Sequence, residues 1–219
     1  ILNNMPNIPS LFVTATPFRL DRKDINGKQI YNYPLYKAYR DGIFGEIIFH
    51  PIDDAPNKDR LIALEAERVF LNDRKMGLDH YMMVRTDTKN KAKLLENLYR
   101  ESTSLKLKRI DSSMTYKTVN QTLNDLKSKK LDGIICVDML GEGFDFPNLK
   151  IAAVHETQKS LASTLQFIGR FARTNAENIG SAKFIAMKDE DLIVGNKKLY
   201  SNDIAWQEMI MNMSDETIE

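Results

Sequence analysis

Three polar side chains in the last third of the chain have the spacing of one helix face. Gln166, Arg170 and Arg173 stand at i, i+4 and i+7, and such positions project from the same side of an α-helix. Gly169, within the same stretch, allows a ligand to approach the backbone closely. Two guanidinium groups beside an amide suit a polyanion such as a triphosphate. The alternative is an ordinary surface helix whose arginines are solvated.

Two further stretches place polar groups beside residues that shape the backbone. Residues 141–147 read Gly-Glu-Gly-Phe-Asp-Phe-Pro, and here Gly143 permits close approach to a ligand while Asp145 can accept a hydrogen bond from a sugar hydroxyl. The alternative is a tight turn in which Asp145 caps its own backbone. The other stretch is Thr-Ala-Thr-Pro, where Thr14 and Thr16 offer two hydroxyl groups. An ordinary threonine-rich strand end is the alternative there.

The elements that must position these stretches alternate between strand and helix. Short apolar runs predict strands at residues 10–14, 46–50, 80–86, 105–110, 133–137, 150–155 and 182–186. Helical spacing predicts helices from Asp59 to Met76, after a cap at Asp87 or Thr88, from Thr115, and over residues 160–172. This order is typical of a doubly wound α/β domain with a mostly parallel sheet. Such sheets bind ligands where their strands end, and the three stretches follow predicted strands.

Composition narrows the classes of function. The 219 residues include 31 Lys and Arg against 30 Asp and Glu, so any nucleic-acid contact must come from a local patch. The single cysteine excludes a disulfide framework and a cysteine-rich zinc site, and it suits a reducing cytoplasm, where we expect the protein to act. The three histidines are scattered, so we expect no metal site, and no apolar run is long enough to predict a membrane span. Because the sequence begins Ile-Leu-Asn-Asn, without a leader pattern, we expect it to be a piece of a longer protein.

The three stretches together, in this order, resemble superfamily 2 helicases and translocases of the DEAD/DEAH-like class. Residues 14–16 resemble motif III, residues 141–147 resemble motif V, and residues 166–173 resemble motif VI. Residues 142–147, Glu-Gly-Phe-Asp-Phe-Pro, are similar to motif V in the branch that contains restriction subunits and excision-repair proteins. The fold that this resemblance implies is a RecA-like, P-loop NTPase-type α/β domain, the helicase C-terminal lobe.

The resemblance also implies a division of the chain. Helicases of this class hold ATP and Mg²⁺ between two RecA-like lobes, and the phosphate-binding Gly-x-x-x-x-Gly-Lys-Ser/Thr sequence of the first lobe occurs nowhere here. We therefore expect four parts: a remnant of the first lobe (1–50), a linker (51–58), the second lobe (59–190) and a C-terminal extension (191–219). The main partner would be the missing first lobe of the same polypeptide, and this chain alone would hydrolyse no ATP.

Roles of individual residues follow from the same resemblance. Arg170 and Arg173 would be the arginine fingers that meet the γ-phosphate, and Gln166 would contact the phosphates or the attacking water. Gly143 and Asp145 would lie near the ribose, while Thr14 and Thr16 would link the ATP site to the nucleic-acid track. Contacts to the nucleic-acid backbone would come from loops that follow the strands, at Arg85, Thr86, Ser112, Ser113 and Thr157.

Departures from the RNA-helicase pattern favour DNA as the nucleic acid. The chain has Glu142 where RNA helicases of the Asp-Glu-Ala-Asp type have Arg, and Gln166-Phe167 where they have His-Arg. The alternatives that stay open are an ATP-dependent RNA helicase, a non-enzymatic nucleic-acid-binding or partner-docking module, and an unrelated nucleotide-binding α/β domain. If the predicted strand at residues 10–14 lacks its own sheet, it is also a possible surface for self-association.

Overall fold

A computed structural model describes the central part of the chain. The described residues are 31, 33, 35–43, 45–137, 146–156, 171, 173–174 and 178–188. They contain four helices: α1 Leu35–Arg40, α2 Lys58–Lys75, α3 Lys89–Ser102 and α4 Tyr116–Lys127. They also contain six strands: β1 Ile47–Ile52, β2 Tyr81–Thr86, β3 Leu107–Ile110, β4 Gly133–Val137, β5 Leu149–Val154 and β6 Ala182–Met187.

Local sequence signals fix where the helices begin and end. The side chain of Thr88 accepts a hydrogen bond from the amide of Lys91, and that of Thr115 accepts one from Thr118, so both threonines cap helices as predicted. Helix α2 ends where Gly77 takes a positive φ of 78°. There the amides of Gly77 and the next residue bond back to carbonyls of the last turn.

All six strands form one parallel sheet in the order β1-β6-β5-β2-β4-β3. Every strand therefore ends at the same edge, called here the carboxyl edge, and begins at the opposite, amino edge. The predicted doubly wound parallel architecture is confirmed, and the apolar run at 133–137 is a central strand, buried on both faces.

The sheet separates two hydrophobic cores. Helices α2 and α3 cover one face, where Ile62, Val69, Leu95 and Tyr99 pack on the sheet. The other face carries Ala38 of α1, Leu126 of α4 and Phe171. The chain thus has the three layers that a doubly wound fold requires.

The structure corrects the predicted linker at residues 51–58. Pro51 and Ile52 are the last two residues of β1, where they pair in parallel with Ala186 and Met187 of β6. The two prolines and the acidic pair of residues 51–58 favour a linker, but among the described strands β1 lies at the edge of the sheet, where a residue without an amide hydrogen is tolerated. Residues 47–50, assigned from the sequence to the first lobe, therefore belong to this sheet, while the rest of the predicted division stays a prediction.

Within the part of the chain that the structure describes, no helix combines the length and the apolar character that crossing a membrane would require.

Candidate nucleotide and nucleic-acid surfaces

Arg85 lies at the carboxyl edge, near the end of β2, and pairs with Glu156, the second residue after β5. Its Nε lies 2.9 Å from Oε1 of Glu156, and both side chains are largely buried. The amide of His155 donates to the carbonyl of Arg85 at 3.0 Å, which joins the two strand ends. Arg85, which is predicted to contact a phosphate, is therefore engaged in an ion pair with Glu156. A ligand anion would compete with Glu156 for the guanidinium of Arg85.

Ser112 and Ser113 are exposed in the loop that follows β3. Asp111, which is fully buried, organises this loop: its carboxylate accepts from the amide of Ser113 at 2.9 Å and from the Ser113 hydroxyl. The same carboxylate pairs with the guanidinium of Arg109. The loop thus presents hydroxyl groups and a nearby cation on a fixed backbone, the groups that position a phosphate without reading sequence.

Thr86, the last residue of β2, is 0% exposed. Its hydroxyl donates to Asp87 at 3.4 Å. Because Thr86 is fully buried, the structure gives no support to its predicted contact with nucleic acid.

A hydrogen-bonded network that the sequence did not suggest lies at the same edge. His155 Nδ1 lies 2.8 Å from Oδ1 of Asp59, and His155 Nε2 lies 3.0 Å from the hydroxyl of Tyr99. The second oxygen of Asp59 pairs with the ammonium of Lys91. The network joins the end of β5 to the first turns of α2 and α3 and so makes this edge rigid.

The electrostatics of that network settle its protonation states. The hydrogen bond from His155 lowers the pKa of Asp59 to about 2, with a further contribution from Lys91. Burial lowers the pKa of His155 and raises that of Tyr99 well above its usual value. Asp59 is therefore ionised and accepts from Nδ1–H of a neutral His155, whose Nε2 accepts from the Tyr99 hydroxyl.

Arg173 lies near the amino edge. It is exposed, and its carbonyl accepts a hydrogen bond from the ammonium of Lys150, the second residue of β5. The next residue, Thr174, donates its hydroxyl to the carbonyl of Gly42 at 2.6 Å, just before β1. The backbone that carries the predicted arginine finger is thus held from two sides.

The structure therefore places the described candidate residues on opposite edges of the sheet. Arg85, Ser112 and Ser113 lie at the carboxyl edge, whereas Arg173 lies close to the strand starts. The other predicted site residues lie outside the described residues: Thr14, Thr16, Gly143, Asp145, Thr157, Gln166 and Arg170.

Sequence reasoning missed two residues that organise these surfaces. Asp111 directly follows a predicted strand, a position where polar residues collect in parallel sheets. Lys150 is a charged residue in an otherwise apolar strand that is buried throughout, and that contrast is the signal that would have found it. Among the described residues, no group of three or more His, Cys, Asp or Glu side chains is arranged to hold a metal ion.

A parallel sheet of this order with helices on both faces defines the class: the chain has the fold of a RecA-like helicase C-terminal lobe. Residues 66–175, half of the chain, match the family described as Helicase conserved C-terminal domain. The chain belongs to that family, and the resemblance to superfamily 2 helicases is confirmed.

Known proteins similar to the chain include UvrABC system protein B and an RNA helicase. UvrABC system protein B of Campylobacter jejuni is 26% identical over 172 residues, which is 76% of this chain and 24% of that protein. The probable ATP-dependent RNA helicase Dbp73D of Drosophila melanogaster is 26% identical over 96 residues, covering 44% of this chain and 14% of its own length. The chain thus spans about a quarter of the first relative and less of the second.

Among solved structures, the yeast DEAD-box splicing factor Prp28 aligns with a TM-score of 0.57 at 17% identity. The alignment covers 80% of this chain and 37% of that protein. At this identity the likeness concerns the fold alone.

Proposed function

We propose that this chain supplies the second RecA-like lobe of an ATP-dependent DNA helicase or translocase. The observation that carries the proposal is the separation of two candidate surfaces on one sheet. Arg173 is anchored at the amino edge, and the loops of Arg85 and Ser112 lie at the carboxyl edge. A motor needs such an arrangement, because one surface must follow the nucleotide while the other holds the nucleic acid.

The nucleotide surface has a cation on a fixed backbone. A guanidinium has donors that match phosphate oxygens and is always charged, and a donor that is already in place stabilises developing charge without reorganising. Lys150 binds the carbonyl of Arg173, and the hydroxyl of Thr174 binds the carbonyl of Gly42; this anchored backbone favours such a placement of the guanidinium. ATP with Mg²⁺ would bind mainly to the first lobe and supply the phosphoryl group, and Arg170 and Gln166 would complete this chain's contribution.

The nucleic-acid surface has hydroxyl groups and a cation at the same edge of the sheet. Buried Asp111 orders the Ser112–Ser113 loop after β3. Arg85 stands near the end of β2, which β4 separates from β3, and pairs there with Glu156. These groups suit the phosphates of a single strand, which carry no base information. Thr157 and the motif V residues Gly143 and Asp145 are proposed to extend the surface.

DNA is favoured over RNA by the motifs, because Glu142 and the Gln166-Phe167 pair differ from the RNA-helicase pattern. An RNA helicase is the second candidate, because the relative from Drosophila melanogaster that is named a probable ATP-dependent RNA helicase is 26% identical over 44% of the chain.

The nucleotide half of the proposal is tested by steady-state ATP hydrolysis in the full-length protein. Arg173→Ala is expected to lower kcat by about 10³-fold, as removal of an arginine finger does. Arg173→Lys is expected not to restore the rate, because an ammonium cannot present the same fork of donors. The matched control is Arg100→Ala, since Arg100 is an exposed arginine of α3 bonded only locally to Asn97 among the described residues. A full rate in Arg173→Ala would reject the finger and favour a non-enzymatic binding module.

The nucleic-acid half is tested by fluorescence anisotropy with single-stranded DNA, duplex DNA and single-stranded RNA across a salt series. A preference for DNA that weakens with salt supports the proposal. A preference for RNA would replace DNA by the second candidate. If the full-length protein binds nucleic acid and this chain does not, the nucleic-acid surface requires the first lobe.

A further inference from the structure

Lys150 occupies an irregular position in β5. Tyr81 of β2 pairs with Leu149, but the next residue, Met82, pairs with Ile151, so Lys150 is an extra residue in the ladder. Leu149 and Ile151, two positions apart, consequently face different cores. A bulge of this kind redirects a side chain, and here it turns Lys150 toward the face that carries Phe171.

The ammonium of Lys150 is buried without a carboxylate partner among the described residues. The residue is 1% exposed, and its Nζ donates to the carbonyl oxygen of Phe171 at 2.7 Å and to that of Arg173. Burial, and secondarily the charge of Lys183, lowers the pKa of Lys150 to about 8, so the group remains mainly charged at neutral pH. A lone buried cation is costly, and residues that break the packing rules in this way concentrate at functional positions.

The two carbonyls lie on either side of a helix end, because Phe171 is helical whereas Arg173 is not. The last carbonyls of a helix have no partner within it, and a cation there satisfies them and complements the helix dipole. Lys150 therefore fixes the end of this helix to the start of β5, at the point where Arg173 leaves it.

We propose that Lys150 is the positioning residue for Arg173, setting where its guanidinium stands relative to the nucleotide. The inference rests on the proposed function, because it requires Arg173 to meet the phosphates. Lys150 touches no substrate atom and acts through two backbone hydrogen bonds. Thr174, bound to Gly42, holds the far side of the same segment.

The experiment measures kcat and KM for ATP in the full-length protein carrying Lys150→Met. We expect kcat to fall by about 10-fold or more while KM changes by less than about 3-fold, because the loss concerns the transition state. Lys150→Arg, which keeps a cation, is expected to recover part of kcat. In a protein that already carries Arg173→Ala, Lys150→Met should cost no further activity, since residues that act as a unit are not additive.

The matched control is Lys183→Met. Lys183 is also a buried lysine near the start of a strand, but its ammonium binds Asp73, away from Arg173. Loss of stability alone would lower the activity of both variants in proportion to the folded fraction. If Lys150 positions Arg173, kcat of the folded enzyme falls in Lys150→Met but not in Lys183→Met.

The outcomes separate the two proposals. If Arg173→Ala keeps its rate, the proposed function of Arg173 fails and the role of Lys150 falls with it. If Arg173→Ala is inactive but Lys150→Met keeps kcat, only the inference about Lys150 is overturned. Should Lys150→Met not fold, Lys150→Ala decides: it also removes both hydrogen bonds to the carbonyls of Phe171 and Arg173, and an unchanged kcat of the folded protein in that variant would equally overturn the inference.

Discussion

The imidazole of His155 lies 2.8 Å from the carboxylate of Asp59, and this contact joins residues that stand 96 positions apart in the chain. It ties the end of β5 to the first turn of α2. Because both groups titrate in the acid range, the contact makes stability depend on pH.

Acid is expected to destabilise the chain in two steps. The folded pKa of His155 is lowered by burial and that of Asp59 is lowered to about 2, so the unfolded chain takes up protons more readily at both sites. Stability is then complete above the unfolded pKa values and is lost as pH falls, first below about 6.5 for His155 and then between about 4 and 2 for Asp59. The Asp59 step corresponds to about 2 kcal/mol.

Urea denaturation of the chain from about pH 8 down to about pH 2 measures these steps. His155→Gln should remove the first and Asp59→Asn the second. His50→Gln is the control, because His50 is a partly exposed histidine beside Glu65. A wild-type free energy of unfolding that stays constant from pH 7 to pH 5 would contradict the role given to His155.

Lys183→Met is expected to destabilise the chain by about 3 kcal/mol, because it leaves the carboxylate of Asp73 buried without its cation. The ammonium of Lys183 lies 2.9 Å from both oxygens of Asp73. Burial alone would raise the pKa of Asp73, but hydrogen bonds from His80 and Lys183 outweigh it and lower the pKa.

The control for this ion pair is Lys129→Met. Lys129 pairs with Asp79 at 3.0 Å, but its side chain is exposed, so its loss should cost less than about 1 kcal/mol. Adding Asp73→Asn to Lys183→Met should recover part of the lost stability. Equal losses in the two single lysine variants, measured by urea denaturation, would show that burial of the pair is irrelevant.

Gly133→Ala is expected to destabilise the sheet severely, by about 3 kcal/mol or more. An added Cβ would lie 2.3 Å from the carbonyl oxygen of Met82 on the neighbouring strand, and backbone atoms of two central strands cannot move apart cheaply. Gly180→Ala is the control, since its Cβ would lie 3.3 Å from the flexible side chain of Leu78 and 3.8 Å, an ordinary contact, from the ring of His80. Thermal midpoints of the two variants check this prediction, which a stable Gly133→Ala protein would refute.

Arg85→Ala is expected to weaken nucleic-acid binding and to reduce the slope of log affinity against log salt by about one. Glu156→Gln should have the opposite effect on affinity, because it removes the carboxylate that pairs with Arg85 at 2.9 Å. Anisotropy titrations at several salt concentrations measure both, with Arg100→Ala as the neutral control. Unchanged slopes in Arg85→Ala would remove Arg85 from the proposed surface.

The features that were predicted best from the sequence are those set by residues close together in the chain. The caps at Thr88 and Thr115 and the apolar strand at 133–137 are local, and each is confirmed. Pro51 misled the prediction of β1, because an edge position can be recognised only once the strand order is known.

The contacts that organise the candidate surfaces could not be predicted, because they join distant segments. The bond from Lys150 to Phe171 spans 21 positions and the contact of Asp59 with His155 spans 96. No periodicity encodes such pairs. The motifs that carry the resemblance lie largely outside the described residues, so their roles remain predictions.

The pairing of β1 with β6 has a consequence for synthesis on the ribosome. Glu46 and Ser181, at the starts of these strands, are 135 positions apart, and among the described strands β1 pairs only with β6. While the chain emerges, β2 to β5 can assemble in turn, but β1 must wait with its backbone donors and acceptors unpaired until β6 has been translated. At about 5–20 residues per second, that wait lasts many seconds, and during it the first of the described strands has no partner among the others.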